Sequence, residues 1–267
     1  MIKEMFKLIK TGVCSVTFRK ESVDTIIKRT KQANLDGIEW AADVHVQPGD
    51  SQQAECVARK MKEAGLEVLS YGSYYRAGAT ENGNSFETIL QTAKQLGAPS
   101  IRIWAGIKGS EEASEKDRQQ VTADIQRIAE LAQAQKIAVH IEYHGGTLTD
   151  TSESAKQLVE DINHNNVKLY WQPAVGIEVS ERVKDIQIVK RFLKHVHVFY
   201  WQEQDRLPLA EGVGAWRQYL HHLHLKDPHE DQHFLLEFVQ DEDPEQFQED
   251  AQVLLELMSE FELRAHS

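Results

Sequence analysis

The chain has 267 residues, and 42 Asp and Glu outnumber 30 Lys and Arg, leaving a formal net charge of −12. Nucleic-acid affinity rests on counterion release by a basic face, so an acidic chain without a basic patch is not expected to bind nucleic acid. With 41% hydrophobic and 27% charged residues the composition is that of a soluble globular protein, and no apolar run is long enough to span a bilayer.

In chain order, residues 1–10 interrupt their apolar positions with Lys3, Glu4, Lys7 and Lys10, unlike a signal peptide, so a cytoplasmic protein is expected. Short apolar runs then alternate with longer amphipathic stretches. The predicted strands cover residues 12–17, 37–41, 67–71, 100–104, 137–142, 167–172, 195–200 and 234–239. They recur at intervals of about 30 residues, the size of one βαβ step. Predicted helix starts are Asp50 with Gln53, Asn84 with Glu87, Asp150 with Glu153, and Asp243 before Pro244. Each sets an oxygen acceptor where a helix opens with free backbone N–H groups. Gly65 and Gly97 stand where helices should end. No linker or composition shift breaks the series, so one domain over residues 1–267 is expected. Cys14 and Cys56 lie in no CxxC motif and read as small apolar filler.

Eight such units predict an α/β fold, a (β/α)8 TIM barrel, whose catalytic groups project from the C-terminal ends of the strands. The rival, an open doubly wound sheet, would announce a nucleotide through a glycine-rich turn, and neither GxGxxG nor GxxxxGK[ST] is present.

Alternate residues of a barrel strand point inward. On that parity the later strands are polar: His140, Glu142 and His144; Lys168, Tyr170 and Gln172; His195, His197 and Phe199; His233, Leu235 and Glu237. A buried lone carboxylate needs a cation or a proton. Glu142, Gln172, His197 and Glu237 fall at the ends of four consecutive strands, and oxygen donors with one imidazole suit Mn2+, Mg2+ or Co2+, or Zn2+. Taken singly, each reads equally as a salt-bridged or hydrogen-bonded core residue; their coincidence on adjacent strands points to one divalent ion. Arg102, inward on the fourth strand, offers a donor fork for a carboxylate, phosphate or hydroxyl pair, or a salt bridge to Glu39. Glu39 is a substrate contact or only that partner. His45 and His144 are placed to hydrogen-bond substrate hydroxyls or shuttle protons, or else are surface histidines. Tyr74, Tyr75, Trp104, Phe199 and Trp201 fall near strand ends, where flat apolar walls suit a sugar ring. The histidine-rich run 221–233 lacks HExxH spacing and reads as a solvated helix end and turn.

Five segments carry a family resemblance: GIEWAADVHV (37–46), SIRIWAG (100–106), HIEYHGGTLTDT (140–151), HVHVFYW (195–201) and LLEFV (235–239). In this order and spacing the chain resembles the xylose isomerase-like TIM barrels, specifically the sugar phosphate isomerase/epimerase family, which shares its barrel with endonuclease IV. The resemblance implies a metal held by Glu142, Gln172, His197 and Glu237. Gln172 stands where most relatives have Asp, which removes one negative charge and implies weaker or differently selective metal binding. The implied activity is metal-dependent isomerisation or epimerisation of a sugar or sugar phosphate through an ene-diolate, with Glu142 and Glu237 moving the proton. His45, Arg102, His144, Trp104 and Glu39 would contact the substrate. A dehydratase acting on a keto-inositol or a dehydroshikimate-like compound would begin with the same step, and a barrel whose metal site has decayed would do neither. A DNA-repair nuclease is disfavoured by the acidic balance and by ligands for only one site. The expected partner is a small carbohydrate, with no nucleic acid and no membrane; self-association stays open.

Overall fold

A computed structural model describes residues 9–223 and 231–265. Its barrel strands are β1 (Ile9–Cys14), β2 (Gly37–Ala41), β3 (Glu67–Arg76), β4 (Ser100–Trp104), β5 (Ala138–Glu142), β6 (Val167–Trp171), β7 (Leu193–Val198) and β10 (Gln232–Leu236). A hairpin of β8 (Tyr200–Gln202) and β9 (Asp205–Leu207) follows β7. The helices are α1 (Val23–Gln32), α2 (Ser51–Ala64), α3 (Phe86–Leu96), α4 (Glu115–Gln133), α5 (Ser152–Ile162), α6 (Val179–Val189), α7 (Val213–His222) and α8 (Pro244–Ala265). All barrel pairings are parallel, and β1 pairs with both β2 and β10, so the sheet closes and the open alternative is excluded.

The two parities of each strand enter different cores. Ile38, Ile101, Val139, Leu169, Val196 and Phe234 belong to the large apolar layer shared with the helices, whereas Cys14, Leu69, Tyr170 and Leu235 form a small separate cluster. Gly12 and Gly37 give Leu69 and Leu235 room there. A Cβ on Gly37 would stand 2.1 Å from the Glu67 carbonyl oxygen, and one on Gly12 would stand 2.6 Å from Leu69 Cδ1.

Helix starts follow the expected chemistry with two shifts of one residue. Asp50 accepts from the Gln53 N–H at 2.9 Å, and Asp243 accepts from the Glu245 N–H in front of Pro244. Ser85 and Thr151, not Asn84 and Asp150, cap α3 and α5. Asp150 is instead engaged by the Ser110 N–H at 2.9 Å. Gly65 and Gly97 end α2 and α3 in the left-handed conformation, as expected.

The first and last strands lie earlier than predicted. After Cys14 the chain turns into a 3-10 helix, Ser15–Phe18, where Ser15 Oγ accepts from the Ala41 N–H. The last strand ends at Leu236, and Phe238 takes a φ of 55°, which no strand tolerates. The lysine-interrupted residues 1–8 and residues 224–230 of the histidine-rich run lie outside the described residues. Among the described residues no helix is long and apolar enough to cross a membrane.

Candidate functional site

Four strands deliver four donors to one end of the barrel. Glu142 is the last residue of β5, Gln172 follows β6, His197 lies in β7, and Glu237 follows β10. Glu142, His197 and Glu237 offer ligand atoms that all lie within 4.8 Å of one another. His197 Nδ1 is 3.4 Å from Glu237 Oε2, 3.6 Å from Glu142 Oε1 and 2.9 Å from Gln172 Oε1. The Gln172 Nε2 donates to the Tyr143 carbonyl at 2.7 Å, and this turns its amide oxygen toward His197. Adjacent ligands of an octahedral ion with bonds of about 2.1 Å stand about 3 Å apart, so these spacings suit a divalent cation. Glu142, Gln172 and Glu237 line a cavity of about 600 Å³, and His197 is fully buried behind them.

The electrostatics argue the same way. Arg102 Nε donates to Glu39 Oε1 at 2.8 Å, and its Nη1 donates to Glu142 Oε2, so the salt bridge anticipated with Glu39 forms and extends to a second carboxylate. Trp104 Nε1 also donates to Glu142 Oε2, at 2.6 Å. Glu39, Glu142, Glu237, Arg102 and His197 are all more than nine-tenths buried. Three buried carboxylates against one guanidinium leave two negative charges: a protonated His197 offsets one of them, whereas a divalent ion beside a neutral imidazole would cancel both. Burial works to strip the His197 proton, but Cys14, Glu237 and Glu39 around it raise its pKa well above the usual imidazole value. Burial likewise opposes ionisation of Glu39, yet Arg102 and His197 hold its carboxyl well below the usual range. Cys14, Glu39 and His197 form a second close trio. Burial pushes the Cys14 thiol up to about 12, and Glu39 is already engaged by Arg102, so this trio backs His197 rather than offering a second ion site.

A family model described as the xylose isomerase-like TIM barrel matches residues 27–257. The chain belongs to the xylose isomerase-like TIM barrel family. Within the family, the 3-dehydroshikimate dehydratase of Bacillus anthracis is 26% identical over 227 residues, 78% of each chain. The crystal structure of the probable 3-DHS dehydratase involved in petrobactin synthesis from Bacillus anthracis superposes with a TM-score of 0.77 at 22% identity, covering 92% of this chain and 98% of that one. A D-psicose 3-epimerase, in the presence of D-fructose, superposes with a TM-score of 0.65 at 16% identity over 92% and 97%. Relatives on this barrel thus include both a dehydratase and an epimerase.

The remaining predicted contacts divide within this family barrel. Arg102, Trp104 and His144 line the cavity. His144 packs on Trp104 with ring centroids 4.5 Å apart, and its Nδ1 lies 2.7 Å from the Gly145 carbonyl oxygen. His45 does not line the cavity; it is buried beside Trp40, with Nδ1 3.0 Å from Ser15 Oγ. Tyr75 also turns away, donating to Asp124 and packing on Phe86, whereas Tyr74, Phe199 and Trp201 line the cavity. Glu39 lies behind the wall as the partner of Arg102. Parity assigns Phe238 to the helix side, but its left-handed φ turns it into the cavity wall. Tyr74, in an irregularity of β3, has a φ of 56° and lines the cavity too. Such strain costs of order 1–3 kcal/mol and persists where the surroundings enforce it. Neither aromatic residue carries a sequence signal for positive φ, so pattern reading missed both conformations, as it missed Arg19, Val175 and Ile177 along the same cavity.

Proposed function

We propose that this chain is an enzyme that removes a proton next to the carbonyl of a small polyhydroxylated ketone and then expels a neighbouring hydroxyl as water, with a divalent ion held by Glu142, Gln172, His197 and Glu237. The observation that carries the reading is the convergence of three buried donors within 4.8 Å at the cavity floor. The dehydratase relative at 26% identity favours the elimination. When bound, such an ion supplies Lewis-acid polarisation of a carbonyl and a template for adjacent oxygens.

The protein's own groups divide the proton work. Glu142 Oε2 already accepts from Arg102 and Trp104, which weakens that carboxylate as a base. Glu237 lines the cavity with His197 Nδ1 3.4 Å from its Oε2, and it is assigned the first proton by its place on the cavity. An Nδ1–H donated to the Gly145 carbonyl leaves the His144 Nε2 lone pair free to hold a substrate hydroxyl. Trp104 and Phe199 line the cavity and would shield the reacting end from water.

The same convergence of Glu142 and Glu237 favours a second reading, isomerisation or epimerisation, because one carboxylate can return a proton that the other removes. The test is to incubate Mn2+-supplemented protein in D2O with 3-dehydroshikimate and, separately, with D-psicose, following NMR and ultraviolet absorbance. The expected result is a metal-dependent, ultraviolet-absorbing product formed with loss of water, abolished by Glu237→Gln. Deuterium wash-in without loss of water would select the second reading. No exchange and no product with Mn2+, Mg2+, Co2+ or Zn2+ would overturn both.

A further inference from the structure

Among the described residues three large apolar side chains are exposed, and two of them, Val175 (37%) and Ile177 (41%), occupy one short loop on the cavity. That loop leaves β6 directly after Gln172. The cavity is also walled by Phe199, Trp201 and Phe238, whose rings form a chain with centroids 5.4 and 5.7 Å apart. Arg206 of the hairpin lies 4.8 Å from the Phe238 ring and 5.4 Å from the Trp201 ring and braces the pair. Aromatic faces alone would suit the C–H face of a sugar. Branched aliphatic side chains offer neither a stacking face nor a hydrogen bond, and a ligand made only of hydroxylated carbons would leave Val175 and Ile177 uncovered or desolvate its own hydroxyls against them. Trp201 Nε1 and Tyr74 Oη are buried without a protein partner, so the same wall has donors left for an ether or carbonyl oxygen.

The charged side chains of the cavity argue against a phosphate. Among the described residues lining it, the Lys and Arg side chains are Arg19 and Arg102 alone. Arg19 is ion-paired with Asp43, and Arg102 is shared between Glu39 and Glu142. A phosphate dianion would have to break one of these pairs, or draw Arg206 off the Phe238 and Trp201 rings, to gain a cation.

We infer that the preferred substrate carries, beyond a polyhydroxylated reacting core such as those tested above, an apolar or aromatic substituent seated against Val175, Ile177, Trp201 and Phe238, and no phosphate. The inference rests on reading this cavity as the site of a polyhydroxylated small molecule, and its test needs no metal, so its failure is distinguishable from failure of the proposed reaction. Binding of methyl β-D-glucopyranoside, phenyl β-D-glucopyranoside and D-glucose 6-phosphate to the whole protein would be compared by tryptophan fluorescence and saturation-transfer NMR. The phenyl glycoside is expected to bind at least about tenfold more tightly than the methyl glycoside, by burial of its ring. D-Glucose 6-phosphate is expected to bind no more tightly than the methyl glycoside. The double substitution Val175→Ser, Ile177→Ser should bring the phenyl glycoside back to the methyl glycoside's affinity; each single substitution should give part of the loss if the double variant folds poorly. Equal binding of the two glycosides, preference for the phosphate ester, or conversion of a dimer to a monomer by the double substitution would overturn the inference, the last by assigning the apolar pair to a contact between copies.

Discussion

An aspartate at position 172, which is half-buried, would add a carboxylate beside the buried Glu39, Glu142 and Glu237, against the single guanidinium of Arg102. Gln172→Asp should therefore tighten Mn2+ binding by about tenfold, because the added charge lies beside His197 Nδ1. It should also lower the thermal midpoint in EDTA, where nothing offsets the new charge. Titration with Mn2+ and melting with and without chelator check both effects, and unchanged affinity would place Gln172 outside the ion's reach. At this scale the sequence conveyed what side-chain chemistry and parity convey: the four strand-end donors, and Arg102 with Glu39 as its alternative partner. It did not convey what depends on a single dihedral angle. Phe238 keeps the same letter whether it faces helix or cavity, and His45 sits two residues from Asp43, the ion-pair partner of the cavity residue Arg19, yet turns inward to Ser15.

Strands and helices were easier to read than their ends. Apolar alternation locates a strand, but pairing decides where it stops. The described part of β1 reaches back to Ile9, where Gln232 of β10, a partner distant in sequence, lies beside it. Helix caps shifted by one residue where Ser85 and Thr151 stood next to the expected Asn84 and Asp150, since hydroxyl, amide and carboxylate oxygens cap almost equally well. Thr151→Ala should accordingly cost about 1 kcal/mol in urea unfolding. The tight interior of the barrel gives a larger effect. Gly37→Ala would set a methyl group 2.1 Å from the Glu67 carbonyl oxygen, backbone that cannot rotate aside, and should cost about 3 kcal/mol or prevent folding. A loss below about 1 kcal/mol in either unfolding or refolding measurements would mean that β2 and β3 separate more easily than their register suggests.

The closed barrel was visible in the even recurrence of βα units, a property of the whole chain that survives local errors in strand limits. Its interior also sets the response to acid. Burial lowers His140 to about 3 and holds His195 well below the ordinary imidazole value of about 6.5. Both are neutral in the fold, so the unfolded chain takes up protons first as pH falls. Their contribution to stability is complete above about 6.5 and declines as pH drops toward 3. Urea midpoints measured across that range should fall with acidification, less steeply than His140 and His195 alone would give because the raised His197 acts in the opposite sense; His140→Gln should flatten the slope, and a slope unchanged by that substitution would contradict the neutral assignment of His140. The pairing of β1 with β10 has one more consequence. During synthesis Glu142, Gln172 and His197 leave the ribosome well before Glu237, and Phe238 must still reach back across the whole chain to donate to Thr17. The nascent polypeptide therefore carries three of the four proposed donors before the strand that brings the fourth and closes the barrel has been made.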